Sequence, residues 1–139
     1  MTGVPPDHVH ETYTVSGGVG APRVVRDLVR PHLDRHLDDE AVYDVELLVG
    51  EVVTNAVRHG GADEYSTLHV ELRIDTSGVR FAVADPGPGF RRPRVPTARA
   101  TGGGNGFVLL ERLAASWDVE RAERTRVWFA YPHPQATSA

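Results

Sequence analysis

Glu51 and Asn55 stand four residues apart in the run Glu-Val-Val-Thr-Asn-Ala-Val-Arg-His, and later in the chain come Asp85-Pro86-Gly87-Pro88-Gly89 and Gly104-Asn105-Gly106. On a helix, that spacing stacks the two side chains one above the other on a single face, so both can reach the same bound ion and phosphate. The amide oxygen of Asn55 is a neutral, hard ligand suited to an octahedral Mg2+ that keeps several waters and takes other ligands from phosphates. The carboxylate of Glu51 can accept the proton of a hydroxyl or water attacking a terminal phosphate. The bland alternatives are an exposed helical Asn and a solvated Glu, although Asn is a mediocre helix former that gains nothing in mid-helix.

Arg58 and His59 follow on the same segment and can add donors to phosphates, or simply interact with the helix's C-terminal dipole. Asp85 ends an alternating apolar run directly before Pro-Gly-Pro-Gly. Its carboxylate is placed at a sheet edge to accept an adenine amino hydrogen, while Gly87 and Gly89 let a flat ligand approach the backbone; a turn-initiating Asp is the alternative. The cluster Gly102 to Gly106 precedes a helical pattern, so successive backbone N–H groups and the helix N-terminus make a concave anion site, or else a hinge. Its spacing is neither a Walker loop nor a dinucleotide fingerprint. Taken together and in order, helix Glu-x-x-x-Asn-Ala, strand-end Asp-x-Gly-x-Gly and helix-opening Gly-x-Gly point to an ATP site.

Those groups need elements to hold them. His8 to Val15 alternates as an edge strand, and after Gly17, Gly18 and Gly20 a helix opens at Pro22 and runs to about Leu37, with Pro31 expected to kink it. Asp38 or Asp39 can cap a second helix whose stripe is Val42, Val45, Leu48, Val49, Val52, Val53, Ala56 and Val57, with Glu51, Asn55 and Arg58 beside it and Gly60-Gly61 ending it. Leu68 to Asp75 and Val79 to Asp85 read as strands joined by a tight hairpin at Thr76-Ser77-Gly78. Pro86 to Gly106 is longer than an ordinary connection and reads as a lid. Phe107 to Ala115 is helical again, and Trp117 to Arg121 and Arg126 to Tyr131 are closing strands around a turn at Ala122 to Thr125. The fold class is α/β: a two-layer α/β sandwich with a mostly antiparallel mixed sheet and helices on one face. Residues 8–132 make the single domain, between loosely held termini at 1–7 and 133–139.

The chain's 139 residues suit one domain with a real core, and the absence of cysteine excludes disulfides, thiolate metal sites and a cysteine nucleophile. A formal net charge of -4 argues against direct nucleic-acid binding and favours a protein or small-molecule partner. All 15 basic residues are arginine, which excludes a lysine-based phosphate site. Met1 to Pro6 is neither basic nor apolar, and no run approaches the ~20 apolar residues of a membrane helix. The expectation is a soluble, cytoplasmic protein with no membrane partner.

On these motifs, over about Val15 to Tyr131, the sequence resembles the GHKL or Bergerat-fold ATPases. Within that group it looks most like the small stand-alone anti-sigma factor serine/threonine kinases, since no dimerisation helix or phosphoacceptor segment accompanies the domain and Glu-Val-Val-Thr-Asn-Ala-Val-Arg-His-Gly is typical of that branch. The resemblance implies ATP and Mg2+ as cofactors, with Glu51 as general base, Asn55 as magnesium ligand and Asp85 as adenine contact. Gly87 and Gly89 become the adenine-pocket wall, and Gly104, Asn105, Gly106 and Phe107 the phosphate-binding loop and helix start. The implied partners are a sigma factor and an anti-sigma-antagonist protein, with homodimerisation by analogy. One departure concerns the γ-phosphate: the branch often carries an arginine just before the last glycine motif, whereas here Gly102 and Gly103 stand there and Arg99, Arg94 and Arg92 are the nearest candidates.

Overall fold

A computed structural model describes residues 8–60, 63–85, 105–121 and 124–132, with backbone alone for 59, 60 and 105–107. Its elements, in chain order, are β1 (Val9–Ser16), α1 (Ala21–His36), α2 (Asp39–Gly60), β2 (Thr67–Asp75), β3 (Gly78–Ala84), α3 (Asn105–Leu113), β4 (Ser116–Arg121) and β5 (Thr125–Pro132). Of the expected lid from Pro86 to Gly106, residues 86–104 lie outside the described residues and Asn105 and Gly106 instead open α3; of the expected turn from Ala122 to Thr125, residues 122 and 123 lie outside them and Thr125 begins β5.

Local chemistry accounts for most boundaries. Pro22 sits in the first turn of α1, where its missing N–H costs nothing, and Arg35 and His36 close the last turn against the dipole. Of the two candidate caps for α2, Asp38 is the one used: its Oδ1 accepts the Ala41 N–H at 2.9 Å, and Asp39 and Glu40 fill the first turn. In the β2–β3 hairpin, Asp75 Oδ1 accepts from the Ser77 N–H at 2.9 Å and from the Ser77 hydroxyl at 2.7 Å. Gly78 then takes φ +142°, open to a residue without a Cβ. The third helix starts at Asn105, two residues before the apolar spacing suggests.

The five strands form one sheet in the order β1-β2-β3-β5-β4, and every pair among them is antiparallel. One face carries Leu68, Val70, Leu72 and Ile74 of β2, Val79, Phe81 and Val83 of β3, and Val127 and Phe129 of β5, all buried. Against it pack Val25, Val29 and Leu33 of α1, the stripe Val45, Leu48, Val49, Val52 and Val53 of α2, and Leu110 of α3. Phe81 and Phe129, register partners across β3 and β5, meet with ring centroids 5.5 Å apart at the centre of this layer. Each such side chain contributes roughly 1.5–3 kcal/mol by leaving water, which fixes the helices on this face. The result is the expected two-layer sandwich. Among the described residues no helix is long and apolar enough to cross a membrane.

Candidate functional site at one end of the sandwich

The chain path brings three element ends to one end of the molecule. Only residues 61–66 separate α2 from β2. The start of β2 lies beside the finish of β3, where His69 pairs with Ala84. The C-terminal end of α2 and the residue leaving β3, Asp85, therefore share that end. The third helix feeds β4, whose first residue Ser116 pairs with Ala130 near the opposite, hairpin end of β3. Its N-terminus, at Asn105, accordingly lies toward the Asp85 end.

Among the described residues, Asn55 and Asp85 are the buried polar or charged side chains, at 8% and 2% exposure. Asp85 continues the inward-facing row Val79, Phe81, Val83, so strand alternation turns its carboxylate toward the helix layer. Its own N–H donates to Thr125 O at 3.0 Å, which ties the strand end to β5. Asn55 is three residues after Val52 and seven after Leu48, both fully buried. It thus lies within the buried side of α2, deeper than the flank position expected from the stripe. The stripe is wider than its apolar members because the helix is covered by sheet, α1 and α3 together.

The Nδ2 of Asn55 meets no acceptor among the described residues. A buried amide donor left unmet costs about 1–3 kcal/mol, so the position is unfavourable unless something else supplies an acceptor. Phosphate oxygens are acceptors of the right kind, and the paired amide oxygen is a suitable hard ligand. Among the described residues no cluster of three or more His, Asp or Glu could cage an ion by itself. The donor set present therefore fits a cation that brings most of its ligands with it, as a magnesium–phosphate does.

Glu51 is half-buried and lies one turn before Asn55. It lines a groove of about 220 Å³ between α1 and α2 with Arg26, Tyr43, Glu46, Leu47, Gly50 and Thr54. The two side chains are about 40° apart around the helix axis, which lets one enter the buried layer while the other stays at the open groove. Arg58, two turns after Glu51, is exposed. Asn105 and Gly106 form the first residues of α3, where backbone N–H groups lack intrahelical acceptors. The side chains of His59, Asn105 and Phe107, and residues Gly87, Gly89, Arg92, Arg94, Arg99 and Gly104, lie outside the described set.

Arg26 and Gly50 are among the groove members that the sequence reading did not single out. Arg26 places its Nη1 2.7 Å from where a Cβ on Gly50 would stand, so the guanidinium crosses α2 at its one mid-helix glycine, next to Glu51. The available signal was that glycine itself, since a glycine inside a strong helix costs about 1 kcal/mol and marks a close approach.

A comparison with curated proteins returns no match. A family model, the histidine kinase-like ATPase domain, matches residues 20–131, a span from the turn before α1 to the end of β5 that includes Glu51, Asn55, Asp85 and the glycine cluster. The antiparallel sheet with its helices on one face is accordingly a Bergerat-type α/β sandwich, and the family implies ATP with Mg2+ as the bound group. The chain belongs to the histidine kinase-like ATPase domain family.

Proposed function

We propose that this ATPase domain is a serine/threonine protein kinase that phosphorylates an anti-sigma-antagonist protein and sequesters a sigma factor. The observation that carries the nucleotide part is the pair of buried polar groups, Asn55 on α2 and Asp85 leaving β3, at the end of the sandwich where α3 begins. The kinase part is supported by Glu51, a half-buried carboxylate one helical turn from Asn55 on a groove open to a second molecule. The partners rest on the likeness of Glu51 to Gly60 to the anti-sigma kinase branch.

Bound MgATP supplies the transferable phosphoryl group and a cation to offset its charge. Asn55 would offer its amide oxygen to the cation and its amide donor to a phosphate oxygen. Asp85 would accept the adenine amino hydrogen. The first N–H groups of α3 would be available to phosphate oxygens. Glu51 accepts the proton of the partner's serine or threonine hydroxyl, and lid arginines among Arg92, Arg94 and Arg99 balance charge on the transferred group.

Gly102 and Gly103, in place of an arginine ahead of the last glycine motif, favour a second reading: a nucleotide-gated binding module that holds its partner without phosphoryl transfer. Glu51→Gln separates the two. With radiolabelled ATP and a candidate antagonist, a kinase loses transfer in Glu51→Gln while its ATP affinity stays within about threefold of wild type. Absence of transfer by wild type that still binds MgATP selects the binding module.

A further inference from the structure

The sheet face turned away from the helices carries a charge arrangement that the nucleotide site does not use. Strand alternation puts His10, Thr12 and Thr14 of β1, His69, Glu71 and Arg73 of β2, Arg80, Ala82 and Ala84 of β3, Arg126, Trp128 and Ala130 of β5, and Ser116, Asp118 and Glu120 of β4 on this side. Register resolves these residues into rows across the strands. One row reads His10, Arg73, Arg80, Ala130, Ser116, with two arginines directly opposite each other on neighbouring strands and no acid.

Directly opposed like charges destabilise a strand pair, so this row needs a compensating anion. The face provides it only in part: against the opposing effect of burial, Arg73 is among the cations, after His10 and Arg126, that hold the Glu71 carboxyl below its ordinary range. Arg126 reaches over the small Ala82 and Ala84 to Glu71 at 3.5 Å and also bonds Glu120 at 3.2 Å, and His10 holds Glu71 at 2.7 Å. The direct bonds of Glu71 and Glu120 thus go to His10 and Arg126, and Asp118 Oδ1 accepts the Val119 N–H at 2.7 Å. Arg73 and Arg80 are exposed and have no ion pair among the described residues. Arg80 instead lies over the ring of Trp128, 4.9 Å from its centroid.

Small side chains in the centre and large ones around them leave two adjoining shallow depressions, about 280 and 380 Å³, that share Glu71, Ala82 and Arg126. Their breadth, spanning all five strands, is unlike the enclosed pocket that buries most of a small ligand. An arginine pair beside a half-buried tryptophan is the residue set that dominates protein–protein interfaces. We propose that this open face docks an acidic protein segment, whose carboxylates take the forks of Arg73 and Arg80 while its apolar atoms lie along Ala82 and Ala84 beside Trp128.

The test is calorimetric titration of the full chain with an eight-residue Glu/Ala peptide, against its Gln/Ala counterpart, for wild type, Arg73→Gln, Arg80→Gln and the double variant. Binding of the Glu/Ala peptide alone, weakened about fivefold to tenfold by each substitution, lost in the double variant and falling with added salt, is expected. The MgATP-induced rise in melting temperature should be the same in all four proteins, which separates this surface from the nucleotide site. Equal affinity in the double variant, or no binding at low salt, overturns the proposal. So does a wild-type dimer in light scattering that the substitutions dissociate, because a second copy then covers the face. Displacement of the peptide by equimolar inorganic phosphate also overturns it, because the site then takes a small anion.

Discussion

Replacing Asn55 by leucine should make the empty protein more stable and the nucleotide-saturated protein less so. The branched leucine side chain has the same number and connectivity of heavy atoms beyond Cβ, and the position is 8% exposed. The substitution removes an Nδ2 donor with no acceptor among the described residues, a burden of about 1–3 kcal/mol, and adds a few tenths from better helix propensity. With an unfolding entropy near 2.1 cal/mol/K per residue over 139 residues, the apo melting temperature should rise by about 3–10 °C. MgATP at a hundred times its dissociation constant should stabilise wild type by about 2.7 kcal/mol, or roughly 9 °C, and Asn55→Leu not at all. The assay is a thermal melt of both proteins with and without MgATP. A lower apo melting temperature for Asn55→Leu would mean that the amide is satisfied by the protein and serves the fold. An undiminished MgATP shift would remove Asn55 from the site altogether.

Gly50→Ala should raise the melting temperature by about 2–3 °C, because alanine recovers nearly 1 kcal/mol of helix propensity and the obstacle at 2.7 Å is the far end of the flexible Arg26 side chain. A destabilised Gly50→Ala in the same melt would show that the seat of Arg26 on α2 outweighs propensity. Tyr131 donates its hydroxyl to Asp44 Oδ2 at 2.7 Å, clamping β5 to α2, so Tyr131→Phe should cost about 1 kcal/mol in a denaturant titration. Burial first, then the hydrogen bond to Asp44 and the nearby acids, hold that phenol's pKa above its ordinary 10.0. The unfolded phenol ionises first, so this contribution is complete below about pH 10 and declines as pH rises toward the elevated folded value. The stability gap between wild type and Tyr131→Phe should therefore narrow in alkaline titration, and a constant gap would refute the clamp.

What could be read from the sequence followed from local rules. The stripe from Val42 to Val57, the Asp38 cap and the Asp75-to-Gly78 hairpin each depend on residues within a turn or two of one another, and the structure has all three. The fold class followed because period-two strands and period-3.6 helices leave few ways to bury their apolar sides. The depth of Asn55 was not legible, because a helical wheel gives angles around one helix and not how much of it its neighbours cover. The Arg73–Arg80 pairing was hidden for a related reason: it arises from strand register, and the row containing it also joins residues from distant parts of the chain, such as His10 and Ser116. Gly50 was visible but easily passed over, since its neighbour Arg26 comes from another helix.

The described groups of the proposed nucleotide site, Asn55 in the C-terminal part of α2 and Asp85 just after β3, are carried by rigid elements, and this separates two kinds of lesion. Asn55 is fixed by a helix whose stripe is fully buried from Val45 to Val53, and Asp85 by a strand tied to β5 through its own N–H. Such supports hold the polar groups in place before any ligand arrives, so binding does not have to order them. A core truncation such as Leu48→Ala leaves a cavity against the sheet and should cost about 2–5 kcal/mol, yet protein that remains folded keeps both groups in register. Asn55→Leu should do the reverse, strengthening the layer while removing the proposed ligand. Stability and nucleotide affinity are thus expected to vary independently among substitutions on α2, with the sign of each set by whether the side chain faces the apolar layer or the end where β3 finishes.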